Sequence, residues 1–139
     1  MKRVFADACY WIALLNPKDR LHETAERVST GLGPCRIVTS EMVLVELLNG
    51  LAGYGDKMRK VVAETVKSLE SNPNVEIVPQ TSLQFRSAVA LYASRLDKKW
   101  GATDCASFRL MEDKRVTEAL TADHHFKQAG FTILVEPDK

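Results

Sequence analysis

The sequence predicts an α/β domain in which one central, mostly parallel sheet of four to five strands is covered by helices on both faces, a three-layer α/β/α arrangement. Short apolar runs alternate with longer helical patterns along the whole chain, which is typical of strand-helix-strand units. The 139 residues, 45% hydrophobic and 27% charged, fit one globular domain. No internal repeat or low-complexity linker divides the sequence, so we expect a single domain over residues 1–139.

The predicted strands are short apolar runs bounded by turn residues or by charged residues. Proline cannot donate a hydrogen bond to a neighbouring strand, and Pro79 therefore ends the third run. Right-handed crossovers place the turns from strand to helix along one edge of such a sheet. The predicted strands cover residues 4–7, 36–39, 75–78, 117–121 and 131–135.

Apolar residues at three- and four-residue spacing predict the helices. Ser40 and Thr103 are the predicted N-caps of the third and sixth helices. The third helix is apolar almost all round, so we expect it to be buried. The predicted helices cover residues 8–15, 17–30, 42–51, 56–71, 82–96, 104–111 and 124–129. The fifth of them has an apolar stripe that we expect to be buried, formed by Phe85, Ala88, Val89, Tyr92 and Leu96.

Four acidic residues lie in apolar surroundings or at the ends of predicted elements. Asp7 ends the first strand, Asp123 follows the fourth, and Asp104 lies in the first turn of a helix. Glu46 lies in the middle of the apolar third helix, with no Lys or Arg three or four residues away. Open α/β sheets bind their ligands at the carboxyl ends of the strands, so we expect all four acids to meet at that edge.

Each acid also has a purely structural explanation. Asp7, Asp104 and Asp123 can cap helices, which is favourable by about 0.3 to 1 kcal/mol per site. Glu46 reaches solvent if its helix is less buried than its composition indicates. Four converging carboxylates, however, repel one another and resist ionisation unless cations lie between them. Together the four acids therefore predict a metal site.

The histidines and cysteines do not form a zinc-binding pattern. His124 and His125 are adjacent on a predicted helix, so their side chains point about 100° apart and are unsuited to bind one ion together, although one of them can contact substrate. No C-x-x-C pair is present, which argues against a disulfide framework and a zinc site and fits a reducing compartment. We expect small buried hydrophobic roles for the three cysteines, Cys9, Cys35 and Cys105.

The charge balance is nearly neutral, with 19 Lys and Arg against 18 Asp and Glu. If four acids are committed to a metal pocket, 19 basic residues face 14 acidic ones, and the resulting charge of +5 favours a polyanionic partner. A transmembrane helix needs about 20 consecutive apolar residues, and the sequence has no such run. We therefore expect a soluble, cytoplasmic protein with no membrane association.

Four segments resemble the PIN-domain family, which includes the VapC-like ribonuclease toxins of toxin-antitoxin pairs. They are the apolar strand ending in Asp7, residues 46–50 (ELLNG), residues 103–108 (TDCASF), and residues 120–126 (LTADHHF) followed by residues 129–131 (AGF). Each segment alone is weakly specific, but the four in this order and spacing are more specific. The resemblance extends over nearly the full length and implies a PIN-like fold.

The resemblance also implies what the site does. It implies that Asp7, Glu46, Asp104 and Asp123 bind metal and are catalytic, with Thr121 as a supporting hydroxyl. Many relatives have Thr or Ser directly after the first Asp, whereas this sequence has Ala8, so a first-turn hydroxyl is missing there. Members of the family commonly form homodimers, and the toxins are held inactive by a cognate antitoxin.

Carboxylates are hard oxygen ligands suited to Mg²⁺ or Mn²⁺, and such ions assist hydrolysis of phosphodiesters. The sequence hypothesis is therefore a Mg/Mn-dependent endoribonuclease that hydrolyses RNA, as the toxin of a toxin-antitoxin pair. One alternative is a non-catalytic PIN-fold module that binds RNA or protein. A phosphoacceptor receiver domain is disfavoured, because Asp7 is followed by Ala8 and Cys9 rather than by a second acid.

Overall fold

The computed structural model describes residues 1–137 and contains five strands and seven helices in that range. The strands are β1 (Lys2–Ala6), β2 (Cys35–Ser40), β3 (Val75–Val78), β4 (Glu118–Leu120) and β5 (Thr132–Ile133). The helices are α1 (Ala8–Leu15), α2 (His22–Gly31), α3 (Glu41–Gly50), α4 (Asp56–Ser71), α5 (Ser82–Ser94), α6 (Ala102–Lys114) and α7 (His124–Gln128).

The strands form one sheet in the order β3-β2-β1-β4-β5, and all four pairings are parallel. The chain moves outward from β1 to β3, returns across the sheet to β4, and then continues to β5. Because parallel crossovers are right-handed, the reversal places α1 to α4 on one face and α5 to α7 on the other. The predicted three-layer α/β/α fold with a mostly parallel sheet is thus confirmed.

The core is centred on β1, which has a neighbouring strand on each side. Val4, Phe5 and Ala6 have no exposed surface, as expected for a central strand covered by helices on both faces. On one face the ring of Phe126 lies 6.2 Å from that of Phe5 and 4.9 Å from that of Phe108, so α6 and α7 pack through aromatic contacts. This packing fixes the start of α6 and the start of α7 near the end of β1.

The apolar stripe predicted to be buried on α5 is instead largely exposed. Only Ala88 of the five residues is buried, because α5 packs against α6 through the side that carries Ala88 and Leu91. Helix α5 also ends two residues before the predicted end. The exposed members are Phe85, Val89, Tyr92 and Leu96, which are 53%, 44%, 57% and 90% exposed.

Two further helix predictions are wrong in detail. Helix α3 is not buried all round, since Val45 and Leu48 are exposed although Leu47 is fully buried. Thr103 does not cap α6: Gly101 occupies the N-cap position, and Thr103 lies in the first turn. The cap prediction for Ser40 is confirmed, because its Oγ accepts a hydrogen bond from the Val43 amide at 3.1 Å.

Strands β4 and β5 are shorter than predicted, although the amides of Leu134 and Val135 still donate to the carbonyls of Ala119 and Thr121. Of the cysteines, Cys105 is buried as expected, whereas Cys9 and Cys35 are half-buried. Among residues 1–137, no helix is long and apolar enough to cross a membrane.

Candidate active site

The structure brings Asp7 and Asp123 to the same edge of the sheet. Ala6 pairs with Leu120, and the Asp7 amide donates to the Leu120 carbonyl at 3.2 Å, so the ends of β1 and β4 are level. Strand β1 lies between β2 and β4, where the order of the strands reverses. Such a reversal opens a crevice at the carboxyl ends of the strands, and both aspartates lie there.

Thr121 links these two aspartates. Its Oγ1 donates a hydrogen bond to Asp7 Oδ2 at 3.0 Å and accepts one from the Asp123 amide at 3.1 Å. The Cys9 thiol lies 3.2 Å from the same hydroxyl. Thr121 is completely buried, so its hydroxyl is held in place by the packed core. A single side chain therefore orients the Asp7 carboxylate and the turn that carries Asp123.

Asp104 is fixed by two hydrogen bonds at the start of α6. Its Oδ2 accepts from the Gly101 amide at 3.2 Å and lies 2.9 Å from Nδ1 of His125. His125 also contacts Asp123, whose Oδ1 accepts the His125 amide at 2.9 Å and lies 3.4 Å from Nδ1. The imidazole thus bridges two of the predicted site acids.

Within residues 1–137, Asp104, Asp123 and His125 offer ligand atoms that all lie within 4.8 Å of one another, a spacing suited to one metal ion. The sequence indicated that the adjacent histidines are unsuited to bind one ion together and that one of them can contact substrate, but it did not indicate which. The structure selects His125, which is half-buried, whereas His124 is exposed on the outside of α7.

Glu46 reaches the site from α3 on its solvent side, not from a buried helix as the sequence indicated. Partial burial raises its pKa, and the charges of Asp104 and Asp123 raise it further. A contact with the Thr103 hydroxyl acts in the opposite direction. Thr103, predicted as a cap, is therefore a neighbour of the predicted ligand Glu46.

The carboxylates perturb one another's protonation. Burial raises the pKa of Asp7 from 3.8 to about 7, hydrogen bonds from Ala8 and Thr121 oppose the shift, and the charges of Glu46 and Asp104 add to it. Burial also raises the pKa of Asp104, while the contact with His125 lowers it. Asp7 therefore lies within electrostatic reach of Glu46 and Asp104, and these two lie within reach of Asp123, although the close group of ligand atoms includes neither Asp7 nor Glu46. Such mutual destabilisation favours a cation among them.

The capping explanation fits only part of the set. Asp7 precedes α1 but makes no capping hydrogen bond with its side chain. Asp123 does cap α7 through the His125 amide, and Asp104 reaches back to Gly101. Capping requires neither the burial of Asp7 nor the approach of Glu46 from a different helix.

Comparison with known proteins identifies the family to which these features belong. A family model of the PIN domain matches residues 4–132, which is most of the chain and spans all four acids. The chain belongs to the PIN-domain family. The similarity to this family inferred from four short segments is thus confirmed.

Two PIN-domain relatives are 23S rRNA-specific endonucleases named VapC20, from Mycobacterium tuberculosis strains CDC 1551 / Oshkosh and ATCC 25618 / H37Rv. Each is 31% identical over 138 residues, covering 97% of this chain and 99% of the relative. The crystal structure of Mycobacterium tuberculosis VapC20, described as a sarcin-ricin loop cleaving toxin, superposes with a TM-score of 0.83 at 26% identity. It covers 93% of this chain and 96% of VapC20.

FitAcB from Neisseria gonorrhoeae shares the PIN fold with a TM-score of 0.68 at 19% identity, covering 94% of this chain and 96% of that one. A FitAB complex with an IR36 DNA fragment gives a TM-score of 0.69 at 17% identity, and the match covers 94% of this chain and 92% of that one. At these identities the similarity concerns the fold alone.

Proposed function

We propose that this protein is a metal-dependent endoribonuclease of the VapC toxin type, which hydrolyses RNA phosphodiester bonds at a site formed by Asp7, Glu46, Asp104 and Asp123. One observation carries the proposal: acids from four separate elements come together at one end of the sheet, where burial and neighbouring carboxylates raise the pKa of Asp7, Glu46 and Asp104. A fold gains no stability from such an arrangement, so a ligand that offsets the negative charge accounts for it best.

The side chains fit Mg²⁺ or Mn²⁺. Carboxylate oxygens are the ligands these hard cations prefer, and Mn²⁺ also accepts an imidazole nitrogen such as that of His125. Zinc sites are built mainly from several histidines or thiolates, whereas the cluster found in residues 1–137 has one histidine and no cysteine. The residues therefore favour Mg²⁺ or Mn²⁺ over zinc.

A divalent cation bound there supplies positive charge for the phosphodiester transition state and acidifies water for attack on phosphorus. The chain's own contribution is to hold the carboxylates in place. Thr121 orients Asp7, and His125 orients Asp104. We assign Glu46 and Asp123 to the same ligand set, with Glu46 closing the site from α3.

The substrate that we propose is ribosomal RNA of the large subunit. The relatives with the name VapC20 are 23S rRNA-specific endonucleases, and one structure is of a sarcin-ricin loop cleaving toxin. A toxin of this kind acts in the cytoplasm, where ribosomes are found. The +5 charge outside the four acids would aid binding of any RNA, so specificity must come from local contacts.

The partners that we propose are a cognate antitoxin and a second copy of the chain. The antitoxin follows from the relationship to VapC toxins, and the FitAB complexes have a related fold. The second copy is supported by α5, where Phe85, Val89 and Tyr92 form an exposed apolar stripe one to two turns apart. Light scattering on the wild type and on a Val89→Lys, Tyr92→Lys double variant tests dimer formation.

RNA cleavage is tested with purified ribosomes and a mixed, end-labelled RNA pool in Mg²⁺, Mn²⁺ or EDTA. We expect metal-dependent cleavage that is lost in Asp7→Asn and Asp104→Asn but kept in Asp56→Asn, an exposed aspartate at the start of α4. Full activity of Asp104→Asn would contradict the proposal. A folded protein that binds Mn²⁺ but cuts no RNA would support the alternative, a non-catalytic module that binds RNA or protein.

A further inference from the structure

A second concave site lies between α5 and α6, away from the acids. This α5–α6 pocket has a volume of about 250 Å³. Ser40 and Leu110, which are both buried, form its floor, and Ser87 and Ala106 form part of its walls. The pocket is distinct from the metal site, yet Ser40 caps α3, the helix that carries Glu46. At 1.5 Å per residue, Ser40 and Glu46 are about 9 Å apart along that helix.

The pocket contains a charged side chain whose hydrogen-bonding capacity is not fully used. Arg109 lines the pocket, and its Nε is buried without a hydrogen-bond partner among the described residues. Glu112 engages only Nη1, at 3.4 Å, and so does not use the edge formed by Nε and Nη2. The Arg109 side chain is 40% exposed, and Nη2 has no hydrogen-bond partner among the described residues, so the guanidinium can still donate to a ligand with acceptor atoms.

The second charge in the pocket has the opposite sign. Asp113 lies one turn after Arg109 on the same face of α6 and lines the mouth of the pocket. The exposed side chain of Leu83 lies at the same mouth, and Leu110 supplies an apolar floor. The pocket thus combines apolar surfaces with one strong donor and one strong acceptor, which suits a flat, polar heterocycle better than a simple anion.

Guanine matches this combination. Its O6 and N7 atoms accept a forked pair of hydrogen bonds from arginine, the commonest specific contact of a protein with this base. Its N1–H and N2 amine groups are donors, and a carboxylate such as that of Asp113 can accept hydrogen bonds from them. Adenine presents an amine where guanine has O6 and an acceptor at N1, so it would place like groups opposite Arg109 and Asp113.

We infer that the α5–α6 pocket binds a guanine base turned out of a single-stranded RNA segment. Sequence-specific RNA recognition commonly uses such splayed bases, held on apolar surfaces and read along their edges. The RNA part of this inference rests on the proposed function: a guanine near the cut would be held by Arg109 and Asp113 while the acids engage the backbone. Arg109 and Asp113 then determine specificity and take no part in the chemistry.

The test is an amide NMR titration of the ¹⁵N-labelled chain with GMP, and with AMP as a control that carries the same phosphate. EDTA is present throughout, so that no metal can hold the phosphate at the acids. We expect GMP to shift the amides of Ser87, Ala106 and Leu110, and AMP to bind about tenfold more weakly, as one lost bidentate contact implies. Equal binding of the two nucleotides, shifts confined to the acid site, or no shifts would overturn the inference.

Two variants test the assigned contacts. Arg109→Lys keeps the charge but loses the fork, so GMP affinity should fall about tenfold while AMP affinity stays the same. Asp113→Asn should abolish the preference for GMP over IMP, which lacks the N2 amine. The same spectra show whether each variant is folded. Because no cleavage is measured, a chain that binds GMP but cuts no RNA refutes the proposed function alone, and a chain that cuts RNA but ignores GMP refutes this inference alone.

Discussion

Asp7→Asn should stabilise the folded protein without metal while removing its activity. Burial raises the pKa of Asp7 from 3.8 to about 7, so between these values the folded protein holds a proton that the unfolded chain has lost. Stability therefore falls as pH rises through this window. A difference of about three pKa units lowers the free energy of unfolding by about 4 kcal/mol at pH 8, and by less than about 1 kcal/mol at pH 4.

Asparagine removes this charge but keeps an oxygen that can accept the Thr121 hydrogen bond. The free energy of unfolding in EDTA should therefore be higher for Asp7→Asn than for the wild type, by up to about 4 kcal/mol at pH 8 and by little at pH 4. Urea denaturation at both pH values measures this difference. Asp56→Asn is the control, because Asp56 is exposed, and it should show no such pH dependence. An Asp7→Asn protein that is no more stable at pH 8, or equally stabilised at both pH values, would refute the argument.

Three further predictions concern the metal, the hydroxyl that links the aspartates, and the core. Millimolar Mn²⁺ should raise the Tm of the wild type, since a ligand that binds only the folded state stabilises it. The Asp104→Asn variant should lose most of this rise in Tm. An equal rise in both proteins would show that the ion binds elsewhere. Thr121→Val should cost about 1 to 3 kcal/mol in urea denaturation and reduce cleavage, because it removes the Thr121 hydrogen bonds to the buried Asp7 carboxylate and to the Asp123 amide. Unchanged stability would contradict the linking role. Leu47→Ala should cost about 2 to 5 kcal/mol, because Leu47 is fully buried, whereas Leu48→Ala next to it should cost much less.

The sequence alone predicted the sheet, the order of the elements and the approach of Asp7 to Asp123. These predictions succeeded because they depend on local or general properties: apolar strands alternate with helices, parallel crossovers are right-handed, and the ends of parallel strands meet at one edge. Ser40 was a reliable cap for the same reason, since capping involves only the next three residues. The role of the four acids as metal ligands stays a proposal.

Burial of the helix faces was predicted less well, because apolar spacing shows which residues share a face but not whether another element covers that face. Helix α5 packs through Ala88, and the larger side chains Phe85 and Tyr92 face outward. Glu46 was expected in a buried helix and lies on the solvent side of α3. In both cases the sequence defined the stripe correctly, and the packing partner decided its exposure.

The sequence by itself determined which fold forms and which carboxylates its strand and helix ends carry, since these follow from the order of apolar and polar residues. Only the tertiary structure decided that His125 rather than His124 bridges Asp104 and Asp123, and that one hydroxyl, that of Thr121, serves two aspartates. It also formed the pocket that contains Arg109. These contacts join residues far apart in the chain, so they depend on side-chain directions that are set when the helices pack on the sheet.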